Sequence, residues 1–290
     1  MRYVGRFAPS PSGPLHLGSL LAATGSYLAA RAAGGVWHLR IEDVDTPRSV
    51  PGAADGILRT LERCGFAWDG PVVWQSQRTA AYEAVLQQLI DAALAYPCAC
   101  TRAELSHAPL ASDGSRLYPG TCRNGLPPGR SARAWRLRCA GKVRFDDLIQ
   151  GRHEEDLARD VGDFIIRRAD GLFAYQLAVV VDDIALGVTD VVRGADLLIS
   201  TARQMHLYAC LGEPPPRYAH LPLLVDATGC KLSKQTHAPA VDLLPPATAV
   251  LHALTLLGQQ PPAELATYPL AEIWRWAIDH WQLARAPQVL

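Results

Sequence analysis

Apolar and polar positions alternate along this chain in two forms, short strand-like runs and longer stretches with apolar residues three and four apart. Residues 3–9 form an apolar run, a Pro/Gly turn follows, and SLLAATGSYLAARAA at 19–33 carries the helical period. VWHLRIEDV at 36–44 reads as a second strand. PGAADGILRTLERCG at 51–65 is a helix opened by proline and closed by glycine, and TAAYEAVLQQLIDAALAY at 79–96 is a longer one. Strand, helix, strand, helix predicts parallel strands joined by crossover helices, an open α/β sheet.

From residue 97 to about 129 cysteines, prolines, glycines and serines replace the helical period, as in an inserted lobe held by something other than a core. ARAWRLRC, DFIIRRADG, FAYQLAVVVDDIALGVTDVVRG and PRYAHLPLLVD then read as strand-rich, β-branched segments, with TARQMHLYACLG a helix among them. Beyond Lys234 a Pro-rich turn at 243–246 precedes helices near 247–258 and 271–281. The expected division is a catalytic domain at 1–96 and 130–235, an inserted lobe at 97–129 and a short helical segment at 236–290.

The chain has 290 residues, 49% apolar and 19% charged, enough to bury a large core. Lysine and arginine number 28, as do aspartate and glutamate, so a polyanionic partner must be held by a local basic patch. With no apolar leader-like stretch and no run of roughly 18 apolar residues, a cytoplasmic protein without membrane contact is expected, as a monomer. Seven irregularly spaced cysteines do not read as a secreted disulfide framework. Cys64, Cys139, Cys210 and Cys230 read as ordinary thiols.

RFAPSPSGPLHLGSL leads a strand through a Pro/Gly turn into a helix whose first turn holds His16, Gly18 and Ser19. Backbone N–H groups and the macrodipole at a helix N-terminus favour an anion, glycine admits a phosphate chain, and histidine can donate to an oxygen gaining charge. Far downstream, LLVDATGCKLSKQ places Lys231 and Lys234 in a loop after a strand. Each segment alone has an ordinary structural explanation: a turn histidine and solvated lysines.

Taken together, the two segments resemble the paired motifs of class I aminoacyl-tRNA synthetases, HIGH and KMSKS, present here as HLGS and KLSKQ. The resemblance implies a Rossmann-like doubly wound parallel sheet and activation of an amino acid by ATP with Mg²⁺, catalysed by positioning and charge neutralisation. It assigns His16 and Lys234 to catalysis, and Gly18, Ser19, Asp196 and Lys231 with them to the nucleotide. Gln235 and Leu232 replace the motif's final serine and its methionine.

RFAPSPSGPLHLG, IEDVD, YQLAVVVDD and VVRGADLL are similar to the glutamyl and glutaminyl branch. L-Glutamate carries two carboxylates and an ammonium, so its pocket needs guanidinium donors and a carboxylate acceptor, which Arg6, Arg193 and Glu42 supply, with Tyr175 adding a hydroxyl. By matching motif, Ala8 and Ser10 join them. Val179 stands where ordinary glutamyl enzymes usually carry asparagine, which implies one polar contact fewer and weak glutamate binding.

Cys98, Cys100 and Cys122 suggest a structural zinc ion, one per chain, which wants a fourth ligand. Short glutamyl-synthetase-like proteins carry a Cys, Cys, Tyr, Cys order, and that resemblance points to Tyr118 over nearby His107. The residues after Lys234, 56 of the 290, are too few for the helical anticodon-gripping domain of a full glutamyl enzyme. The chain most closely resembles the glutamyl-queuosine tRNA(Asp) synthetases, which implies transfer of glutamate to queuosine in the anticodon arm of tRNA(Asp). Arg123, Arg130, Arg133 and Arg136 are candidate phosphate contacts. Two other readings stay open: a glutamate-adenylating enzyme with another acceptor, and a silent, zinc-stabilised RNA-binding paralogue.

Overall fold

The computed structural model describes residues 2–223 and 241–288. The chain runs β1 (Val4–Phe7), α1 (Leu17–Ala32), β2 (Val36–Ile41), α2 (Ala53–Arg63), β3 (Val73–Trp74) and α3 (Thr79–Asp91). Strands β1, β2 and β3 pair in parallel in that order. Later strands β9 (Asp190–Gly194) and β10 (Arg217–Leu221), joined by helix α5 (Thr201–Leu211), form a second parallel ladder. The ladders abut at β1 and β9, where Thr189 N–H donates to Val4 O at 2.9 Å and Val4 N–H donates to Thr189 Oγ1 at 2.9 Å. The strand order 3-2-1-9-10 has its switch between β1 and β9.

Helix α1 is rich in alanine and leucine, good helix formers, and buries Leu20, Leu21 and Leu28 under the sheet. It packs closely: a Cβ on Gly25 would meet Leu221 of β10 at 2.6 Å. The same core takes in Trp37, Phe66 and Leu221, together with Leu254 of α6 (Pro246–Leu256) and Trp274 of α7 (Leu270–Asp279). The C-terminal helices therefore pack into the core of the parallel sheet.

A second core lies under an antiparallel sheet of β4 (Ala95–Cys98), β5 (Ala134–Leu137) and β8 (Ile165–Arg167). Here the structure corrects the strand reading of residues 173–194. Residues Tyr175–Ala185 form a helix, α4, and only Asp190–Gly194 is extended. Leu177, Ala178, Val180, Val181 and Ile184 carry a helical spacing that packs against this second core, which outweighs the β preference of three successive valines. Between β5 and β8 the chain forms a hairpin, β6 (Lys142–Asp147) and β7 (Gly151–Asp156), turned by residues 148–150, with Gly151 at φ 80° opening β7. Among the described residues no helix is long and apolar enough to cross a membrane.

Candidate active site and metal centre

A cleft of about 700 Å³ opens where β1, β2 and β9 end and α1 begins. This is the crevice at the carboxyl ends of parallel strands, where an open α/β sheet reverses its winding. Arg6 lines it from β1, Ala8 and Ser10 from the turn that follows, Glu42 from just past the end of β2, Tyr175 from α4, and Arg193 from β9. His16, Gly18, Ser19 and Asp196 line it too. The residues expected to bind glutamate and the nucleotide, within the described part of the chain, thus share one cleft, while Lys231 and Lys234 lie outside the described residues.

Beneath the cleft sits a buried ionic network. Arg6 is nearly buried, and its Nε and Nη2 donate to Asp183 at 3.3–3.4 Å, while its Nη1 has no partner among the described residues. Arg40, fully buried, donates to Asp183 at 2.6 Å and to Glu42 at 3.0 Å, with Asp182 3.9 Å from its Nε. Burial pushes the Asp183 carboxyl up, but Arg6 and Arg40 outweigh it and hold it below the usual range. For Glu42 burial wins, leaving its carboxyl above the usual range although Arg40 pulls it down. Burial likewise raises the Tyr175 hydroxyl, helped by the Glu42 charge.

Arg193 is held on all sides. Its Nε donates to His220 Nε2 at 3.0 Å, Nη1 to Gln204 Oε1 at 2.8 Å, and Nη2 to Thr201 Oγ1 at 3.0 Å and Leu197 O at 3.2 Å. His16 is the N-cap of α1: its Nδ1 accepts from Ser19 N–H at 3.3 Å, so in the neutral ring Nε2 carries the proton, 3.0 Å from Ser19 Oγ. The first turn of α1 holds no acidic residue, so no side-chain charge within that turn opposes its positive end. The cleft thus offers two guanidinium groups and a carboxylate at one part of its wall and an anion-favouring helix start at another. Val179, expected to cost the pocket one polar contact, is buried and is not among the residues lining the cleft.

In the lobe between β4 and β5, Cys98, Cys100 and Cys122 bring their sulfurs within 4.8 Å of one another. Cys100 and Cys122 Sγ stand 3.7 Å apart, and Tyr118 Oη is 3.4 Å from Cys98 Sγ and 3.5 Å from Cys100 Sγ. A tetrahedral zinc ion with Zn–S about 2.3 Å and Zn–O about 2.0 Å requires S···S of about 3.8 Å and S···O of about 3.5 Å. The donor set fits the ion, and exposed His107 is outside it. Burial and hydrogen bonds with the sulfurs hold the Tyr118 hydroxyl well above the usual phenol range, so it keeps its proton unless a cation replaces it.

The candidate phosphate contacts fare unevenly. Arg136 is buried, donates to Asp163 O and Cys98 Sγ, and lies 3.8 Å over the Tyr118 ring, so it faces the lobe's interior and not solvent. Arg123 is paired with Asp163 and Arg130 with Glu104. Arg133 is exposed. Their spacing in the sequence reflects the lobe's own architecture more than an outer basic face.

Sequence reading passed over Arg40, Asp182, Asp183, Gln204, His220 and Asp147, which hold the cleft residues in place. One signal was available: a charged residue in the middle of an apolar strand, as in HLRIEDV, is buried only when paired.

The sequence model of the family described as "tRNA synthetases class I (E and Q), catalytic domain" matches residues 3–267, and the chain belongs to that family. Among curated relatives, the Glutamyl-Q tRNA(Asp) synthetase of Aromatoleum aromaticum is 64% identical over 288 residues, 99% of this chain and 91% of that protein. The Glutamyl-Q tRNA(Asp) synthetase of Chromobacterium violaceum is 56% identical, over 98% of this chain and 95% of that one. Among solved structures, the glutamate-tRNA synthetase of Elizabethkingia anophelis superposes with a TM-score of 0.83 at 26% identity, covering 99% of this chain and 67% of that one.

Proposed function

We propose that this chain activates L-glutamate with ATP in the absence of tRNA and transfers the glutamyl group to queuosine in the anticodon of tRNA(Asp). The reading is carried by one observation: in a single cleft, two arginines and a carboxylate suited to a dicarboxylic amino acid meet a helix N-terminus suited to a phosphate chain. The names of relatives at 64% and 56% identity support the acceptor. Arg6 and Arg193 take the two carboxylates of glutamate, Glu42 takes its ammonium, and Tyr175 orients it, with Ala8 and Ser10 completing the wall. His16, Gly18, Ser19 and Asp196 receive ATP with its Mg²⁺, and Lys231 and Lys234 neutralise the triphosphate.

The α-carboxylate oxygen of glutamate attacks the α-phosphorus and pyrophosphate leaves. His16 Nε2–H donates to an oxygen gaining charge in that step. A queuosine hydroxyl then attacks the mixed-anhydride carbonyl, losing its proton, and AMP leaves. Cys98, Cys100, Tyr118 and Cys122 would hold one zinc ion, which would serve the structure of the lobe at 97–129 and not the chemistry of the cleft. In this division, 1–96 and 130–235 form the catalytic domain and 236–290 its helical close, and the chain works as a cytoplasmic monomer.

Pyrophosphate exchange measured with each amino acid, with and without tRNA, tests the activation step. Glutamate-dependent exchange without tRNA is expected, and strict tRNA dependence would refute the reading. Labelled glutamate should then go to queuosine-bearing tRNA(Asp) and not to its unmodified transcript. Label at the 3′ end of the tRNA would refute the acceptor.

A further inference from the structure

His220 lies on β10 directly beside Arg193 on β9, fully buried. Arginine is a donor only, so the 3.0 Å contact from Arg193 Nε to His220 Nε2 requires a lone pair on Nε2. The ring proton then sits on Nδ1, 2.6 Å from Asp147 Oδ2, which as a carboxylate only accepts. Thr201 Oγ1, 3.3 Å from Nε2, is compatible with the same assignment. Asp147 Oδ1 is itself occupied by three backbone donors, Ile149 N–H at 3.0 Å, Gln150 N–H at 2.8 Å and His220 N–H at 3.1 Å. The Tyr218 ring lies nearly parallel to the His220 ring, its centroid 6.0 Å away at 9°. The tautomer is therefore set from both sides of the ring, by a donor at Nε2 and an acceptor at Nδ1.

We propose that Asp147 and His220 are positioning residues for Arg193, forming a buried relay in which the hairpin β6–β7 fixes the imidazole tautomer and the imidazole fixes the guanidinium at the cleft wall. Neither residue touches the cleft. The proposal rests on the reading of Arg193 as a glutamate-binding group. It makes the remote hairpin turn a determinant of glutamate affinity, and it distinguishes Asp147 from an ordinary buried cap. The same logic governs a catalytic aspartate whose replacement by asparagine leaves geometry intact and inverts a histidine tautomer.

Asp147→Asn is the decisive substitution. Three N–H donors at Oδ1 oblige the asparagine oxygen to remain there, which turns its NH₂ toward His220 Nδ1. That moves the ring proton to Nε2, where it opposes Arg193 Nε–H. In pyrophosphate exchange the variant should raise the KM for glutamate on the order of 10-fold or more, as expected for a lost hydrogen bond to a charged group, with the KM for ATP unchanged. ¹⁵N NMR of the histidine rings should show His220 protonated on Nδ1 in the parent protein and on Nε2 in Asp147→Asn. His220→Gln, whose amide oxygen accepts from Arg193, should retain glutamate affinity better than His220→Met. The proposal is overturned if the parent ring is protonated on Nε2, if Asp147→Asn leaves the glutamate KM unchanged, or if both KM values rise together. Should the parent show no glutamate-dependent exchange, the functional reading fails by itself. The relay is then judged by the NMR tautomer and by whether Asp147→Asn flips it.

Discussion

Replacing Arg40 by methionine removes the single cation that joins Glu42, Asp183 and Asp182 beneath the cleft. The three carboxylates do not suffer equally. Asp183 keeps Arg6, and Asp182 keeps Gln75, Arg78 and Tyr82, but the Glu42 carboxylate loses its only hydrogen-bond partner among the described residues. Breaking a buried ion pair from one side typically costs about 3–5 kcal/mol, because a desolvated charge is left uncompensated. At roughly 2–4 °C per kcal/mol for chains of comparable size, the melting temperature should fall by roughly 10 °C. The pH dependence identifies the cause. Burial already holds Glu42 above its ordinary range, and without Arg40 its carboxyl rises further. A carboxyl whose folded pKa exceeds its unfolded one contributes stability at low pH that is lost as pH rises through the folded value. The deficit of Arg40→Met should therefore shrink when unfolding is measured at pH 5 instead of 7.5, and Arg40→Lys, which keeps the charge without the fork, should fall between variant and parent. A methionine variant within about 1 kcal/mol of the parent at pH 7.5, or a deficit that does not change with pH, would refute the reasoning.

For the metal centre, Cys122→Ser should abolish binding of about one zinc per chain, measured by elemental analysis, and loosen the lobe to proteolysis while ATP binding persists. Zinc-free parent protein, purified from zinc-replete cells, would count against the site. His16→Ala and Lys234→Ala should each slow pyrophosphate exchange on the order of 100-fold, the usual contribution of a preorganised donor or charge at a transition state. Near-parental rates in either variant would remove that residue from catalysis.

What the sequence alone determined is local. The capped start of α1 is written in HLGS, where one side chain reaches the backbone of a residue three positions on. The grouping of Cys98, Cys100 and Cys122 was visible because all three come from one short lobe, whereas Tyr118 was pointed to by resemblance alone. The order of strands and crossover helices was visible in the change of period from two to 3.6. Tertiary structure decided the rest. Residues Tyr175–Ala185 are rich in β-branched side chains yet form a helix, because a helix is what packs its apolar stripe on the second core and presents Asp182 and Asp183 inward. Arg136, near the end of the inserted lobe, reads as a surface cation until the fold stacks it on Tyr118. Arg6 meets Asp183 across 177 residues, and Asp147 meets His220 across 73. No periodicity encodes such pairs, since each charge is tolerable in the interior only beside a partner that folding alone brings there.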